Sequence, residues 1–125
     1  YDPDYIPVCD NMWANINPRH GYNRTHTHPN ALWSGVYYVQ APQDSGRIYL
    51  TDPRVQANMV TPYLGEEAKA MRDTWKEVYF EPVAGRILIF PAWLSHEVQP
   101  NLTKLKGRAA DRISIAFNYI QQLRK

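Results

Sequence analysis

Five residues of this chain are of types that do chemistry together. They are His26 and His28 on either side of Thr27, His96 a further 68 positions along, and Arg112 and Ser114 on either side of Ile113. Imidazole binds Fe, Zn, Cu and Ni. Side chains two apart on a strand share a face, so H-x-H presents two imidazoles together, and a third from a distant strand completes a facial ligand set. An arginine holds a carboxylate through two parallel N–H bonds, and a hydroxyl two residues on adds a donor. In this order the residues describe a mononuclear metal site with an acidic cosubstrate docked beside it. Each part has a plainer reading when taken alone. H-x-H is as often a pair of surface or hydrogen-bonded histidines. A single His96 is more often a core residue bonded to backbone, and R-x-S more often belongs to a half-solvated strand with a surface ion pair.

The elements that must position these residues read as short strands. Met12 to Asn17 (MWANIN) alternates apolar and polar, and Tyr22 to His28 follows it, stopped by Pro29-Asn30. Leu32 to Val39 is rich in aromatic and β-branched residues. Arg47 to Thr51, Glu77 to Glu81, Arg86 to Phe90, Leu94 to Val98 and Arg112 to Ile120 complete about eight strands. Residues 1–10 read as an extended arm, and residues 101–111 as a polar loop. Residues 55–73 break the β rhythm, and Leu64 to Trp75 holds helix formers such as Glu66, Ala68 and Lys69. On the final strand Arg112, Ser114, Ala116 and Asn118 share one face. Ile113, Ile115 and Phe117 share the other and form the expected packing face, which leaves the polar set to water or a polar cavity.

A chain of 125 residues fits one domain spanning 1–125, with enough apolar sequence for a core. Its 44% hydrophobic and 13% aromatic content excludes a disordered chain. The 14 basic against 12 acidic residues leave a net charge of +2 with no like-charged run, so a nucleic-acid partner is not implied. Cys9 is the only cysteine, which suits a reducing cytoplasm. No stretch is apolar enough to span a membrane, and no signal peptide is visible. The chain opens at Tyr1 rather than Met, which leaves room for a missing N-terminal segment. A homo-oligomer is left open.

Taken jointly, H-x-H, a distal His and R-x-S resemble the 2-oxoglutarate- and Fe(II)-dependent oxygenase superfamily. Its pattern is H-x-D/E, a distal His, then an Arg, often R-x-S, on the last core strand. Within it the chain is similar to a subgroup of oxygenases common in bacteria and marine phages. The stretches that carry the likeness are HTHPNALWSGVYYVQAP at 26–42, GRIYLTDPR at 46–54, GRILIFPAWLSHEVQPN at 85–101 and RISIAFN at 112–118. Together they span most of residues 11–120 in order.

The resemblance implies a mainly all-β, double-stranded β-helix (jelly-roll, cupin-like) fold with a short helical insert and Fe(II) at its open end. It implies 2-oxoglutarate as cosubstrate and dioxygen as oxidant, with decarboxylation to succinate coupled to hydroxylation of a second substrate. Carried over by position, His26 and His96 are metal ligands and His28 stands at the carboxylate position. Arg112, helped by Ser114, is the partner of the 2-oxoglutarate C5 carboxylate. Ser34, Tyr37, Tyr38, Asn30 and Asn118 are weaker candidates for the cosubstrate pocket. Trp33, Phe90 and Trp93 are expected in the core, Arg54 in a salt bridge or near substrate, and His20 outside the site.

The departure is His28, a neutral imidazole where the superfamily has Asp or Glu. Three histidines also suit Zn or Cu, so a cupin-like metalloenzyme that ignores 2-oxoglutarate and a non-enzymatic jelly-roll binding module both stay open. The substrate, a small molecule or a peptidyl group, is expected to be chosen by loops such as 55–76 and 102–111.

Overall fold

In a computed structural model, residues 2–59, 62–70 and 76–124 are described. Eight strands run in chain order: β1 (Tyr5–Asn17), β2 (Asn23–His26), β3 (Trp33–Gln40), β4 (Ile48–Thr51), β5 (Glu77–Phe80), β6 (Ile87–Pro91), β7 (His96–Val98) and β8 (Arg112–Leu123). Two short helices, α1 (Val55–Met59) and α2 (Glu66–Ala70), lie between β4 and β5. The strands form two four-stranded antiparallel sheets, ordered β1-β8-β3-β6 and β2-β7-β4-β5. This is the jelly-roll arrangement expected from the chain's alternation and turns.

All eight expected strands form, with altered limits. The arm expected at 1–10 is instead the first half of β1, where Tyr5 to Cys9 pair with Leu123 to Tyr119. The pairing is available because β8 runs to Leu123, beyond the expected end at Ile120. Pro7 is tolerated because β1 is an edge strand, so its missing N–H breaks no ladder bond on the open side. The expected strand Tyr22 to His28 shortens to Asn23–His26, and His28 sits just past its end. The helix expected over Leu64 to Trp75 is Glu66–Ala70, where Lys69 bonds Glu66 at 2.6 Å. Residues 71–75 lie outside the described residues. The loop 101–111 ends in a 3-10 turn at Gly107–Ala110.

The two faces of the first sheet are sorted as the final strand's alternation predicts, but not with the expected packing. The polar face of β8 points inward: Arg112, Ser114 and Asn118 are all buried, and they pair with Asn17, Asn15 and Asn11 of β1. The apolar set lies on the outer side. There Phe117 covers Gly35, whose added Cβ would stand 2.2 Å from the Phe117 ring, while Met12, Ile16, Ile87 and Ile89 are each more than half exposed. The inner faces bury Tyr38, Ile48 and Phe90 instead. Trp93, expected in the core, is exposed in the turn between β6 and β7. Among the described residues no helix is long and apolar enough to cross a membrane.

Candidate active site

The three histidines converge at one end of the inter-sheet cleft. His26 and His96 are directly opposite each other on β2 and β7, with ring centroids 4.3 Å apart. His28 is brought in by the chain turn after β2, which its backbone N–H anchors to the Ala92 carbonyl at 2.9 Å. Its Nε2 lies 3.3 Å from His96 Nε2. One ligand atom from each ring lies within 4.8 Å of the others. Strand alternation pairs His26 with His96; the turn, rather than a continued strand, delivers His28.

Burial sets the charge state of the cluster. His96 is 4% exposed, packed edge-on to Phe90 at 4.7 Å. Desolvation holds its pKa at about 4, with His26 and His28 adding to the lowering and the Leu94 carbonyl opposing it. His28 is shifted down as well, first by burial and then by His26. Both rings are therefore neutral near pH 7, as metal ligation requires. Trp13 flanks His28 with centroids 6.0 Å apart.

A second feature lies further along the cleft, whose cavity volume is about 80 Å³. Arg112 is 1% exposed. Its Nη1 donates to the backbone carbonyls of Ser45, Gly46 (3.3 Å) and Gln99 (3.4 Å). Its Nη2 is buried with no hydrogen-bond partner, and among the described residues it pairs with no carboxylate. Burial lowers its pKa, opposed by the Tyr38 phenol. The Tyr38 pKa is raised by burial and lowered by Arg112 and Arg86. Gly46 permits the close approach: its φ is +97°, and a Cβ there would stand 2.2 Å from the Gln99 carbonyl oxygen and 2.7 Å from Arg112 Nη1. A buried guanidinium with an unsatisfied donor is costly unless an anion completes it.

The residues present fit the groups the resemblance implies. Three convergent imidazoles suit a divalent transition metal. The unsatisfied Arg112 donor, lining the cleft with Tyr38 and Ser114, suits a carboxylate.

The other expected residues divide. Ser34 lines the cleft, but its hydroxyl donates to Asn118 Oδ1 at 2.7 Å. Asn118 does not line this cleft; it lies behind His28, with Nδ2 at 3.4 Å from His28 Nδ1 and 2.8 Å from Asn11 Oδ1. It was expected in the cosubstrate pocket; here its amide is engaged by Ser34, Asn11 and His28. Asn30 lies in a separate surface groove beside Asp10 and Gln121, and Tyr37 is exposed on the outer sheet face. Arg54 is tied to Asp52 at 2.6 Å. His20 is exposed, with φ +69°.

Reading the sequence missed Trp13, Asn15, Asn17 and Asn23, which all line the cleft. The alternation Trp13-Asn15-Asn17 was visible, but not which face it gave to the cleft. It also missed Asn101, fully buried, whose Nδ2 donates to the Asn17 and Ala110 carbonyls at 3.0 and 2.7 Å. That side chain pins the 101–111 loop beside the site.

Comparison with known proteins agrees with this geometry. A search of curated proteins finds no match. Among solved structures the fold is similar to an oxidoreductase of the 2OG-Fe(II) oxygenase family from Burkholderia pseudomallei (TM-score 0.64, 15% identity, 91% of this chain and 43% of that one). It is also similar to a prolyl-4-hydroxylase from Pseudomonas putida (TM-score 0.53, 22% identity, 91% and 50%). A third is the non-heme alpha ketoglutarate dependent carbocyclase SnoK from nogalamycin biosynthesis (TM-score 0.60, 10% identity, 93% and 51%). The chain spans about half the length of these proteins, or less. The family model described as "Putative 2OG-Fe(II) oxygenase" matches residues 11–118. That match takes in the three histidines, Arg112 and Ser114, and the chain belongs to this family of 2OG-Fe(II) oxygenases.

Proposed function

We propose that this chain is the catalytic jelly-roll of an Fe(II)- and 2-oxoglutarate-dependent dioxygenase that hydroxylates a small-molecule or peptidyl substrate. His26 and His96 are the metal ligands supplied by facing strands, and His28 is the third. Arg112 receives the distal carboxylate of 2-oxoglutarate through Nη2, with the Ser114 and Tyr38 hydroxyls beside it. Bound iron supplies the redox chemistry that couples loss of carbon dioxide from 2-oxoglutarate to oxidation of the second substrate. The protein's part is to keep two imidazoles neutral, fix the direction of the cosubstrate from a buried cation, and limit water in the cleft. A reducing cytoplasm suits both Fe(II) and the lone, exposed Cys9.

The observation that carries this reading is Arg112: a guanidinium 1% exposed, with one buried nitrogen unpartnered, in the same cleft as three convergent histidines. A histidine metalloenzyme with no acidic cosubstrate has no use for that donor. The test is anaerobic addition of Fe(II) and then 2-oxoglutarate, read as a visible charge-transfer band that needs both, followed by succinate release in air. His96→Ala should remove the band. A folded, iron-loaded protein that shows no response to 2-oxoglutarate would overturn the assignment and favour the three-histidine alternative.

A further inference from the structure

The three imidazoles differ in what their outer nitrogen faces. His26 Nδ1 is 2.6 Å from the Arg24 carbonyl oxygen, and His96 Nδ1 is 2.8 Å from that of Leu94. A carbonyl only accepts, so in the neutral rings the proton sits on Nδ1 and the Nε2 lone pair points to the cluster. His28 Nδ1 faces an amide nitrogen instead, Asn118 Nδ2 at 3.4 Å. An amide nitrogen only donates, so this ring accepts at Nδ1 and carries its proton on Nε2.

The direction of the Asn118 amide is set from its far side. Asn118 Nδ2 also donates to Asn11 Oδ1 at 2.8 Å, and Asn11 Nδ2 donates to the Asp10 carboxylate at 3.1 Å. A carboxylate only accepts. It orients Asn11, Asn11 orients Asn118, and Asn118 orients His28. The bulge in β1 between Cys9 and Asn11 makes the chain continuous, because it leaves Asp10 unpaired and sets Asn11 opposite Asn118. A second route gives the same proton position. His28 Nε2 lies 3.3 Å from His96 Nε2, which is already a lone pair, so the proton between them belongs to His28.

We propose that Asn118 is a positioning residue that holds His28 of the metal-free protein in the Nε2–H tautomer, so that His28 joins the metal only when the Asn118 amide turns over. The proposal rests on the reading of His26 and His96 as ligands and explains how an imidazole works at a carboxylate position. The metal first meets His26, whose Nε2 is free, and His96, whose Nε2 lone pair it takes over from the His28 N–H. The third is recruited by moving the His28 proton to Nδ1 and presenting Asn118 Oδ1 to it. Outer groups that orient metal-binding histidines typically change metal affinity about 10–100-fold. Asn118→Asp, nearly isosteric and able only to accept, should therefore tighten metal binding by about tenfold.

The experiment uses nitrogen-15 NMR of the histidine rings in chelator-treated protein at about pH 8, above the ordinary imidazole pKa. His28→Gln assigns the His28 signals. The expected wild-type spectrum has His28 as Nε2–H, with His26 and His96 as Nδ1–H, and Asn118→Asp should convert His28 to Nδ1–H. Co(II) titration then gives affinities for wild type, Asn118→Asp, His28→Gln and the double variant. Tightening by Asn118→Asp should vanish in the His28→Gln background; tightening that persists there is a charge effect and overturns the proposal. A wild-type His28 with its proton on Nδ1 overturns it equally. If Asn118→Asp does not fold, Asp10→Asn on the exposed bulge releases the chain and should give His28 a mixture of both tautomers; an unchanged spectrum counts against the chain. Failure of His96→Ala to weaken Co(II) binding would overturn the metal-site reading, whereas the tautomer is decided without any metal.

Discussion

Acidification of the metal-free protein should destabilise it through His96. The ring is 4% exposed and its pKa is lowered from 6.5 to about 4, chiefly by burial. Between those two values the unfolded chain binds a proton that the folded chain refuses, so the stability this neutral ring contributes is full above about pH 6.5 and is lost as pH falls toward 4. At about 1.4 kcal/mol per pKa unit, the loss is about 3 kcal/mol, a large share of a small domain's stability. His28 is shifted in the same direction and adds to the slope. Asp52, held at about 2 by Arg54, loses its contribution as pH falls from about 3.8 toward 2, below this window. The assay is urea unfolding of chelator-treated protein, followed by tryptophan fluorescence between pH 7 and 4.5. His96→Gln should cut the slope in this interval by more than half, whatever it does to stability at pH 7. A saturating divalent metal should steepen the slope, because protons then compete with the ion. An equal slope in wild type and His96→Gln would refute the claim that burial of this ring sets the acid sensitivity.

Three further outcomes follow from single contacts. Arg112→Lys keeps a cation for the Ser45, Gly46 and Gln99 carbonyls but loses the fork; 2-oxoglutarate binding by calorimetry should weaken about 30-fold, or about 2 kcal/mol, with Fe(II) affinity unchanged. Gly35→Ala should lower stability by about 1–3 kcal/mol, because its Cβ would meet the Phe117 ring at 2.2 Å; Phe117→Leu in the same chain should recover part of that, measured as non-additivity in urea. Gly46→Ala forces a side chain onto a φ of +97° and against Arg112 Nη1, so it should weaken 2-oxoglutarate binding more than metal binding; equal effects on both would point to general unfolding.

Much of the site was legible before any coordinates. H-x-H, the distal His and R-x-S lie within one cleft: alternation on the final strand puts Arg112 and Ser114 on one face and antiparallel pairing sets His26 opposite His96, while the turn after β2 brings in His28. The polar face of the final strand was identified from residue type alone. What failed was assignment of sides and ends. Ile113, Ile115 and Phe117 were read as the packing face; Phe117 is buried there against Gly35, but it is Arg112, Ser114 and Asn118 that face the other sheet. The extension of β1 back to Tyr5 was hidden, because Pro and Asp residues mark a loop unless a partner strand pairs with them.

Local pattern determined the strands, the turns, the one-letter order of the chemistry and the departure at position 28. It could do so because alternation and turn residues act between neighbours a few positions apart. Tertiary structure alone decided that Asn118 lies against His28, that Arg112 keeps one buried donor unsatisfied, and that Gly46 makes room for it. These facts depend on atoms from strands as far as 107 positions apart, as Asn11 and Asn118 are, meeting at hydrogen-bond distance. Residue spacing carries no record of which donor faces which acceptor across a cleft.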